Sequence, residues 1–306
     1  MNIKYLMALL IWPITILSCS SSGDGELPQQ PDPETPPTVR KEIKISTDIN
    51  AMTRATDTGF DANDCIGLFV VNRGDGNTVN ELKNSGNHVN NMRFTYSGVW
   101  TPDSPIYWKD NTTHADFYLY YPYKANVSDV SAMPFSVSAD QSTEGKYKAS
   151  ELLVGSTKDV APTESSVKIN VAHVLSQMQV VVAAGNGFTA ESLAASDVSV
   201  TINGVKTSAS VNLATAAISA TGDAQSVKPW LDGGKYKALL VPQTVAETNL
   251  ITVNVDGRDF NLKKGFTFEG GKSYKFTVTV SKTSSGINVS IIQWDTDGVD
   301  NGGVAE

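Results

Sequence analysis

Side chains capable of covalent or proton-transfer chemistry are few in this sequence of 306 residues. There are two cysteines, Cys19 and Cys65, and three histidines, His88, His114 and His173. The chain contains no G-x-S-x-G nucleophile turn, no H-E-x-x-H zinc motif and no glycine-rich phosphate loop. His173 has no Cys, His or acidic residue at a metal-ligand spacing along the chain. The sequence therefore predicts no catalytic residue, no metal site and no cofactor, and we expect the protein not to be an enzyme.

Cys19 lies directly behind an export signal. Residues 1–18 begin with a short segment carrying Lys4 and continue with an apolar run that is too short for a good membrane-spanning helix. Residues 16–19 read Ile-Leu-Ser-Cys, which resembles the lipobox of bacterial lipoproteins, where the Cys thiol receives diacylglycerol. The alternative is an ordinary signal peptide with an incidental Cys19, but the Ser/Gly-rich run that follows is typical of a tether. We predict residues 1–18 as a lipoprotein signal peptide and Cys19 as the lipid attachment site, with acyl chains such as palmitate.

A proline-rich segment separates Cys19 from the first strand. Residues 20–41 contain five prolines and no apolar periodicity, so residues 19–41 are predicted to be a lipidated flexible spacer. If Cys19 is acylated, Cys65 has no partner for an internal disulfide. We therefore expect Cys65 to be a small half-buried residue and the fold to be held together without disulfides.

The first strand of the folded part precedes a loop with a single basic residue. Ile43, Ile45, Thr47 and Ile49 fall on one side of an extended chain, the period-2 pattern of a half-buried strand. Residues 50–59 are small and polar, which predicts an exposed loop open to a protease. Cleavage between Arg54 and Ala55 in that loop would cut the first strand from the rest.

The first strand is predicted to be removable because of what it buries. The apolar residues that it contributes are Ile43, Ile45 and Ile49. Burial of three isoleucines at ~1.5–3 kcal/mol each gives roughly 5–9 kcal/mol, which is comparable with the net stability of a whole domain. A subunit that loses this strand would need a replacement.

Charge and length restrict the class of protein. The chain has 32 acidic and 24 basic residues and a formal net charge of −8, which argues against nucleic acid and anionic lipid surfaces as partners. At 306 residues the chain suits two domains better than one. Short alternating segments separated by Gly-, Asn- and Pro-containing turns predict an all-β fold.

The domain organisation follows from the polar stretch around residues 156–166. We predict an N-terminal β-sandwich domain over residues 42–157, a C-terminal β-sandwich domain over residues 158–294 and an acidic flexible tail over residues 295–306. The pair Asn203-Gly204 predicts a two-residue hairpin turn. Residues 188–195 are the best short helix, with Thr189 as a possible N-cap.

An aromatic run and an Arg-Gly-Asp tripeptide could each serve in binding, but each also has a structural explanation. The run Phe117–Tyr123 is rich in aromatic residues, which stack on sugars, but strands also select aromatics for packing, and we favour core packing. Arg73-Gly74-Asp75 is an integrin-type tripeptide, but Gly-Asp is ordinary turn chemistry and we assign it no role.

The motifs in their order resemble the fimbrillin family of Bacteroidales, the lipoprotein subunits of type V pili, and in particular its fimbrillin-like branch of major and minor fimbrial subunits. The resemblance extends from Cys19 to Trp294. It rests on the lipobox, on Thr53-Arg54-Ala55, Ile66–Phe69, Phe117–Pro122, Leu152-Leu153, His173–Ser176 and Leu240–Gln243, and on Gly271–Tyr274 leading to Ile292–Trp294.

The resemblance implies a fold, a location and an assembly mechanism. The fold would be two transthyretin-like β-sandwich domains in tandem. The protein would be exported as a precursor, held in the outer membrane by lipid on Cys19, and cleaved by an Arg-specific protease, for which Arg54 is the matching residue. Mature subunits would form a cell-surface fimbria by strand exchange with other fimbrial subunits and would adhere to a receptor on a host or bacterial surface.

Two questions stay open at the level of sequence. The alternative function is an uncleaved surface lipoprotein that binds glycans through its aromatic residues. Within the fimbrial interpretation, the segment after Trp294 has two valines, four acidic residues and three glycines, which makes it a poor strand donor. We therefore expect a tip or accessory subunit that accepts a strand without readily donating one.

Overall fold

Alternating apolar residues form strands through most of the chain. The computed structural model describes residues 40–49 and 59–281, together with the backbone of residues 287–293 and 303–305. Among these residues two short α-helices accompany the strands, so the predicted all-β class is confirmed. The first half contains β1 Ile45–Ile49, β2 Cys65–Asn72, β3 Val89–Tyr96, β4 Trp100–Pro102, β5 Ala115–Tyr121, β6 Met133–Ser136, α1 Glu144–Lys148, β7 Leu153–Val160 and β8 Val167–His173.

The second half continues with longer strands. It contains β9 Ser176–Ala184, α2 Ala190–Ala194, β10 Val198–Val211, β11 Ile218–Val227, β12 Trp230–Asp232, β13 Lys235–Leu240, β14 Gln243–Val255, β15 Arg258–Phe268, β16 Ser273–Val280, β17 Ile287–Gln293 and β18 Gly303–Ala305. The residues predicted as a flexible tail thus include one short strand, β18, which pairs antiparallel with the start of β17.

The first half is organised by one seven-stranded sheet. Its strand order is β1-β8-β7-β5-β2-β3-β4, and its ladders are antiparallel except for the parallel pair β1 and β8. The central strands β2 and β5 are buried on both faces, whereas β1 and β8 alternate between buried and more exposed residues. Phe117 and Leu119 enter one apolar cluster, which we call the first core, while Tyr118 and Tyr120 enter another on the opposite face. The alternation expected for the aromatic run is therefore observed, with both sides packed.

Two further sheets build the second half. One has the order β11-β10-β14-β15, with β6 also paired to β10, and the other has the order β12-β13-β9-β16-β17-β18. Val200, Ile202 and Leu262 from one sheet pack with Met178, Phe276 and Val278 from the other in a second core. This is the sheet-on-sheet packing of a β-sandwich.

A shared core joins the two halves. It combines Tyr118, Tyr147 and Leu152 of the first half with Val211 and Leu239 of the second. Residues 40–306 accordingly form one compact unit.

The predicted boundary between residues 157 and 158 falls inside β7, and β8 pairs with both β1 and β7. The first sheet ends instead at His173. Alternation in Val167–His173 shows that the segment is a strand but carries no information about which sheet it joins.

The pair Asn203-Gly204 does not form the predicted hairpin. It lies within β10, where the register of pairing shifts between Ile202 and Val205 and Gly204 has a φ of 71°. The left-handed conformation that Gly permits is used here for a bulge. The residues before the bulge pair with β14, and those after it pair with β6 and β11, so the bulge lets one long strand change partners.

The predicted helix over residues 188–195 is observed as α2. Thr189 is its N-cap and accepts a hydrogen bond from the Ser192 N–H, while the Ser192 side chain bonds the Thr189 backbone in return. This reciprocal capping box satisfies two free donors at the start of the helix.

Candidate functional site: the first strand and its seam

The strand β1 lies at one edge of the first sheet and contributes to its core. It pairs with β8 in a parallel ladder from Ile45 opposite Val167 to Ile49 opposite Val171. Ile43 and Ile45 are 1% and 5% exposed and belong to the first core, whereas Ile49 is half-buried against its margin. The sequence pattern predicts that all three isoleucines are buried in the core. Two of them are core residues, and the third, Ile49, lies at the end of the strand. The contribution of this segment to the core rests mainly on Ile43, which directly precedes β1, and on Ile45, the first residue of β1. Removal or exchange of β1 below means removal or exchange of residues 43–49 together.

The other edge of β1 faces β4 across an incomplete seam. At one end, the Ile43 N–H donates to the Ile106 carbonyl at 2.8 Å and the Trp108 N–H donates to the Lys41 carbonyl at 2.9 Å. At the other end, Trp100 Nε1 donates to Thr47 Oγ1 at 2.9 Å.

Between these two closures lies a cavity of about 500 Å³. Its lining residues are 42–47, Phe94, Tyr96, 98–102 and Ser166. We call this gap between β1 and β4 the seam.

Aromatic packing fixes the side chain that closes the seam beside Thr47. The Trp100 ring contacts Phe60 at 4.9 Å and Tyr96 at 5.0 Å between centroids, and Phe60 also contacts Tyr121 at 5.5 Å. The Tyr121 hydroxyl donates to Asp64 Oδ1 at 3.0 Å. Burial of Tyr121, together with the nearby Asp64 carboxylate, raises the pKa of the Tyr121 hydroxyl. The cluster holds the Trp100 indole in place to donate to β1.

The loop predicted to be cleaved joins the end of β1 to the start of β2. Arg54 and Ala55 lie outside the described residues, as does Cys19. The described chain stops at Ile49, the half-buried last residue of β1, and resumes at Gly59. Cys65 at the start of β2 is a half-buried free cysteine whose Sγ lies 3.5 Å from Thr95 Oγ1.

The basic residue of the Arg-Gly-Asp tripeptide is held by an ion pair. Arg73 Nε donates to Asp116 Oδ1 at 2.8 Å, and the side chains are only 11% and 1% exposed. A second contact of 3.5 Å joins Arg73 to Asp159. Asp159 also accepts from Asn77 and lies 2.7 Å from His114, and these contacts lower its pKa. Arg73 is thus held by ion pairs at the margin of the first sheet.

The histidine that looks isolated in the sequence has an acidic neighbour in space. His173 Nδ1 lies 3.0 Å from Glu151 Oε1, and both side chains are buried. The pairing of β7 with β8, which sets Leu153 opposite His173, brings the two residues together. Linear spacing could not show this contact because it depends on which strands are neighbours.

The described part of the chain contains no group of three or more His, Cys, Asp and Glu side chains that could hold a metal ion. Within the same residues, no helix has the length and apolar character needed to cross a membrane.

The aromatic residues considered for glycan binding are mostly packed inside. Phe117, Tyr118 and Tyr120 are 0–3% exposed, and Tyr120 donates to Asn91 Oδ1 at 2.7 Å. Among the described residues, the large apolar side chains that are mainly exposed are Val79, Val99, Tyr107 and Leu231. A buried ring offers no face for a sugar to stack on, so Phe117, Tyr118 and Tyr120 serve core packing, the interpretation favoured from the sequence.

Comparisons with known proteins place this geometry in a family context. A family model described as fimbrillin-like matches residues 53–294. The curated protein "Putative fimbrium subunit Fim1C" of Bacteroides uniformis is 26% identical over 308 residues, which cover 96% of each chain. The "Putative fimbrium tip subunit Fim1C" of Bacteroides ovatus is 35% identical over 109 residues, which cover 32% of this chain and 19% of that protein.

Solved structures share the fold. A crystal structure of a "putative cell adhesion protein" from Bacteroides uniformis aligns with a TM-score of 0.62 and 23% identity, covering 83% of this chain and 98% of the other. A second one, from Bacteroides ovatus, aligns with a TM-score of 0.65 and 19% identity, covering 83% and 96%.

Proposed function

Because the chain belongs to the fimbrillin-like family, we propose that it is a subunit of a cell-surface fimbria that assembles by exchange of its first strand. The coarse role is that of a structural, adhesive fimbrial subunit that assembles with other fimbrial subunits at the cell surface. The finer proposal has four parts. They are lipid anchoring through Cys19, cleavage between Arg54 and Ala55 by an Arg-specific protease, replacement of β1 by a strand from a neighbouring subunit, and a tip or accessory position.

The observation that carries the proposal is the placement of β1. It is an edge strand with a full ladder on one side, to β8, and it fills the first core with two isoleucines, Ile43 and Ile45. Along the sequence, Arg54 follows the last residue of β1 by five positions. A cut after Arg54 would leave β1 bound only by non-covalent contacts to the rest of the domain.

Removal of β1 would create a binding site for another strand. It would expose the backbone edge of β8 and the apolar positions vacated by Ile43 and Ile45. An extended segment with alternating apolar residues satisfies both the unpaired backbone groups and the apolar groove. Repeated head-to-tail donation of such a strand propagates as a filament.

The proposed position in the filament rests on the composition of residues 295–306. Residues 295–306 offer two valines to replace the two buried isoleucines of β1, and four acidic residues stand among them. Gly303–Ala305 already pair with β17 of the same chain. The similarity of part of the chain to a protein named as a fimbrium tip subunit is in keeping with a subunit that accepts a strand and ends the filament.

The test uses a matched pair of arginine variants on the two sides of β1. Arg54 follows the strand and Arg40, which is exposed, precedes it. Cleavage after Arg40 would leave β1 joined to the domain, so Arg40→Ala should assemble like the wild type. Arg54→Ala should accumulate as uncut precursor and form no polymer in a size measurement of surface extracts. Normal polymer from Arg54→Ala would show that release of β1 at this site is not needed.

A further inference from the structure

The backbone of β1 presents hydrogen-bonding groups to the seam. The Lys44 carbonyl accepts from the Val167 N–H on β8 at 2.8 Å, whereas the Ile43 N–H points the opposite way, to Ile106. Successive residues of a strand turn their backbone groups to alternate sides. The N–H and C=O groups of Ile45 and Thr47 therefore face the seam. Within the described residues β1 and β4 are the outer strands of the sheet, so these groups have no strand beside them.

The facing edge on β4 is poorer in hydrogen-bonding groups. The Asp103 N–H donates to the Arg93 carbonyl on β3 at 3.0 Å. The backbone groups of Thr101 and Asp103 therefore point toward β3, and those of Trp100 and Pro102 point toward the seam. Pro102 has no N–H to donate, and proline on a short outer strand is a common way to blunt an edge. A strand that enters the seam would therefore pair mainly with β1.

The seam has the size and lining of a site for a short extended segment. Residues Lys44–Thr47 span about 13 Å at ~3.3 Å per residue, and the cavity beside them is about 500 Å³. Buried Ile43, Ile45 and Phe94 contribute apolar surface to the lining, and exposed Lys44 and Ser46 stand on the rim. Val99, which also lines the cavity, is 67% exposed. Free backbone groups beside an apolar lining are the features by which a protein adds a strand to a sheet edge.

We propose that the seam is the entry site at which a strand from another fimbrial subunit, with alternating apolar residues, first pairs with β1 before displacing it. The inference rests on the strand exchange proposed above and specifies its first step. Departure of β1 before the new strand arrives would expose Ile43, Ile45 and the edge of β8 to water. Pairing in the seam instead adds hydrogen bonds to Ile45 and Thr47 while the ladder to β8 is still intact.

The kinetics of strand uptake distinguish the two routes. The protein is cut at Arg54 and keeps β1 as a bound fragment. The probe is a fluorescent synthetic peptide with the sequence of residues 41–49, and its uptake is followed by fluorescence anisotropy and native mass spectrometry. Entry through the seam predicts an uptake rate that rises in proportion to peptide concentration. A rate that does not depend on peptide concentration would mean that β1 leaves first, and it would overturn the seam entry alone.

Two neighbouring proline variants in the resident strand give an independent readout. Thr47→Pro removes an N–H that faces the seam, and Ser46→Pro removes one that faces β8. Thr47→Val is the control, because it loses the hydrogen bond from Trp100 but keeps the backbone N–H. We expect uptake by Thr47→Pro at least tenfold slower than by Thr47→Val, and uptake by Ser46→Pro faster than by the wild type. Faster uptake by both proline variants would overturn the seam entry.

Two outcomes remain decisive when the variants are uninformative. If a proline variant does not fold, the concentration dependence of the wild type alone decides between the routes. If no peptide is taken up at any concentration, strand exchange itself is wrong, and the seam entry falls with it.

Discussion

Replacement of Ile43 by alanine tests how much β1 contributes to the domain. Ile43 is 1% exposed and belongs to the first core, so the change leaves a cavity among packed side chains. Ile→Ala at such a position costs about 2–5 kcal/mol. Ile49 on the same strand is half-buried at the end of the ladder, and Ile49→Ala should cost roughly 1–2 kcal/mol. The two variants remove the same side-chain atoms and differ only in how deeply the isoleucine is buried.

Urea unfolding of the uncut protein measures both losses. We expect Ile43→Ala to lower the free energy of unfolding by about 2 kcal/mol more than Ile49→Ala does, with an unchanged dependence on urea concentration. In the cut protein, the same energy difference means that Ile43→Ala should weaken binding of the β1 fragment roughly 30-fold more than Ile49→Ala does. Equal losses in the two variants, or no loss in Ile43→Ala, would refute the assignment of β1 as a core strand held by Ile43 and Ile45.

Three further predictions follow from separate parts of the chain. Cys19→Ala should abolish incorporation of labelled fatty acid while circular dichroism of the β domains is unchanged, and labelling of the variant would exclude Cys19 as the lipid site. Deletion of residues 296–306 should leave incorporation into pili intact, and loss of polymer on that deletion would make the chain a strand donor. Burial raises the pKa of Tyr120 to about 12, above the value of about 10 in the unfolded chain. Because the folded protein keeps the Tyr120 proton that the unfolded chain loses, the free energy of unfolding should be unaffected by this group below pH 10 and should fall by up to about 3 kcal/mol as the pH rises toward 12. Urea unfolding of Tyr120→Phe should show a flatter pH dependence over this range.

The periodicity of the sequence predicted the strands better than their partners. Period-2 runs such as Val167–His173 are observed as strands, and the short helix at Ala190–Ala194 is capped by the predicted Thr189. The assignment of β8 to the first sheet depends on its ladders to β1 and β7. No local feature of Val167–His173 encodes those partners, because the alternation would be the same in either sheet.

The same limit applies to the candidate site. Alternation identified Ile43 and Ile45 as inward-facing, but it gave Ile49 the same weight because the end of a ladder is invisible in the pattern. The contact of His173 with Glu151 and the ion pair of Arg73 with Asp116 join residues on different strands. The seam arises because β1 and β4 meet as the two outer strands of one sheet, which only the strand order shows.

N-terminal sequencing of the subunit from assembled surface polymers tests the central claim most directly. Exchange of β1 requires that the mature subunit has lost the strand, so the account predicts Ala55 as the first residue. A polymer whose subunits begin at Cys19 would retain β1 in every copy. That result would contradict assembly by replacement of the first strand.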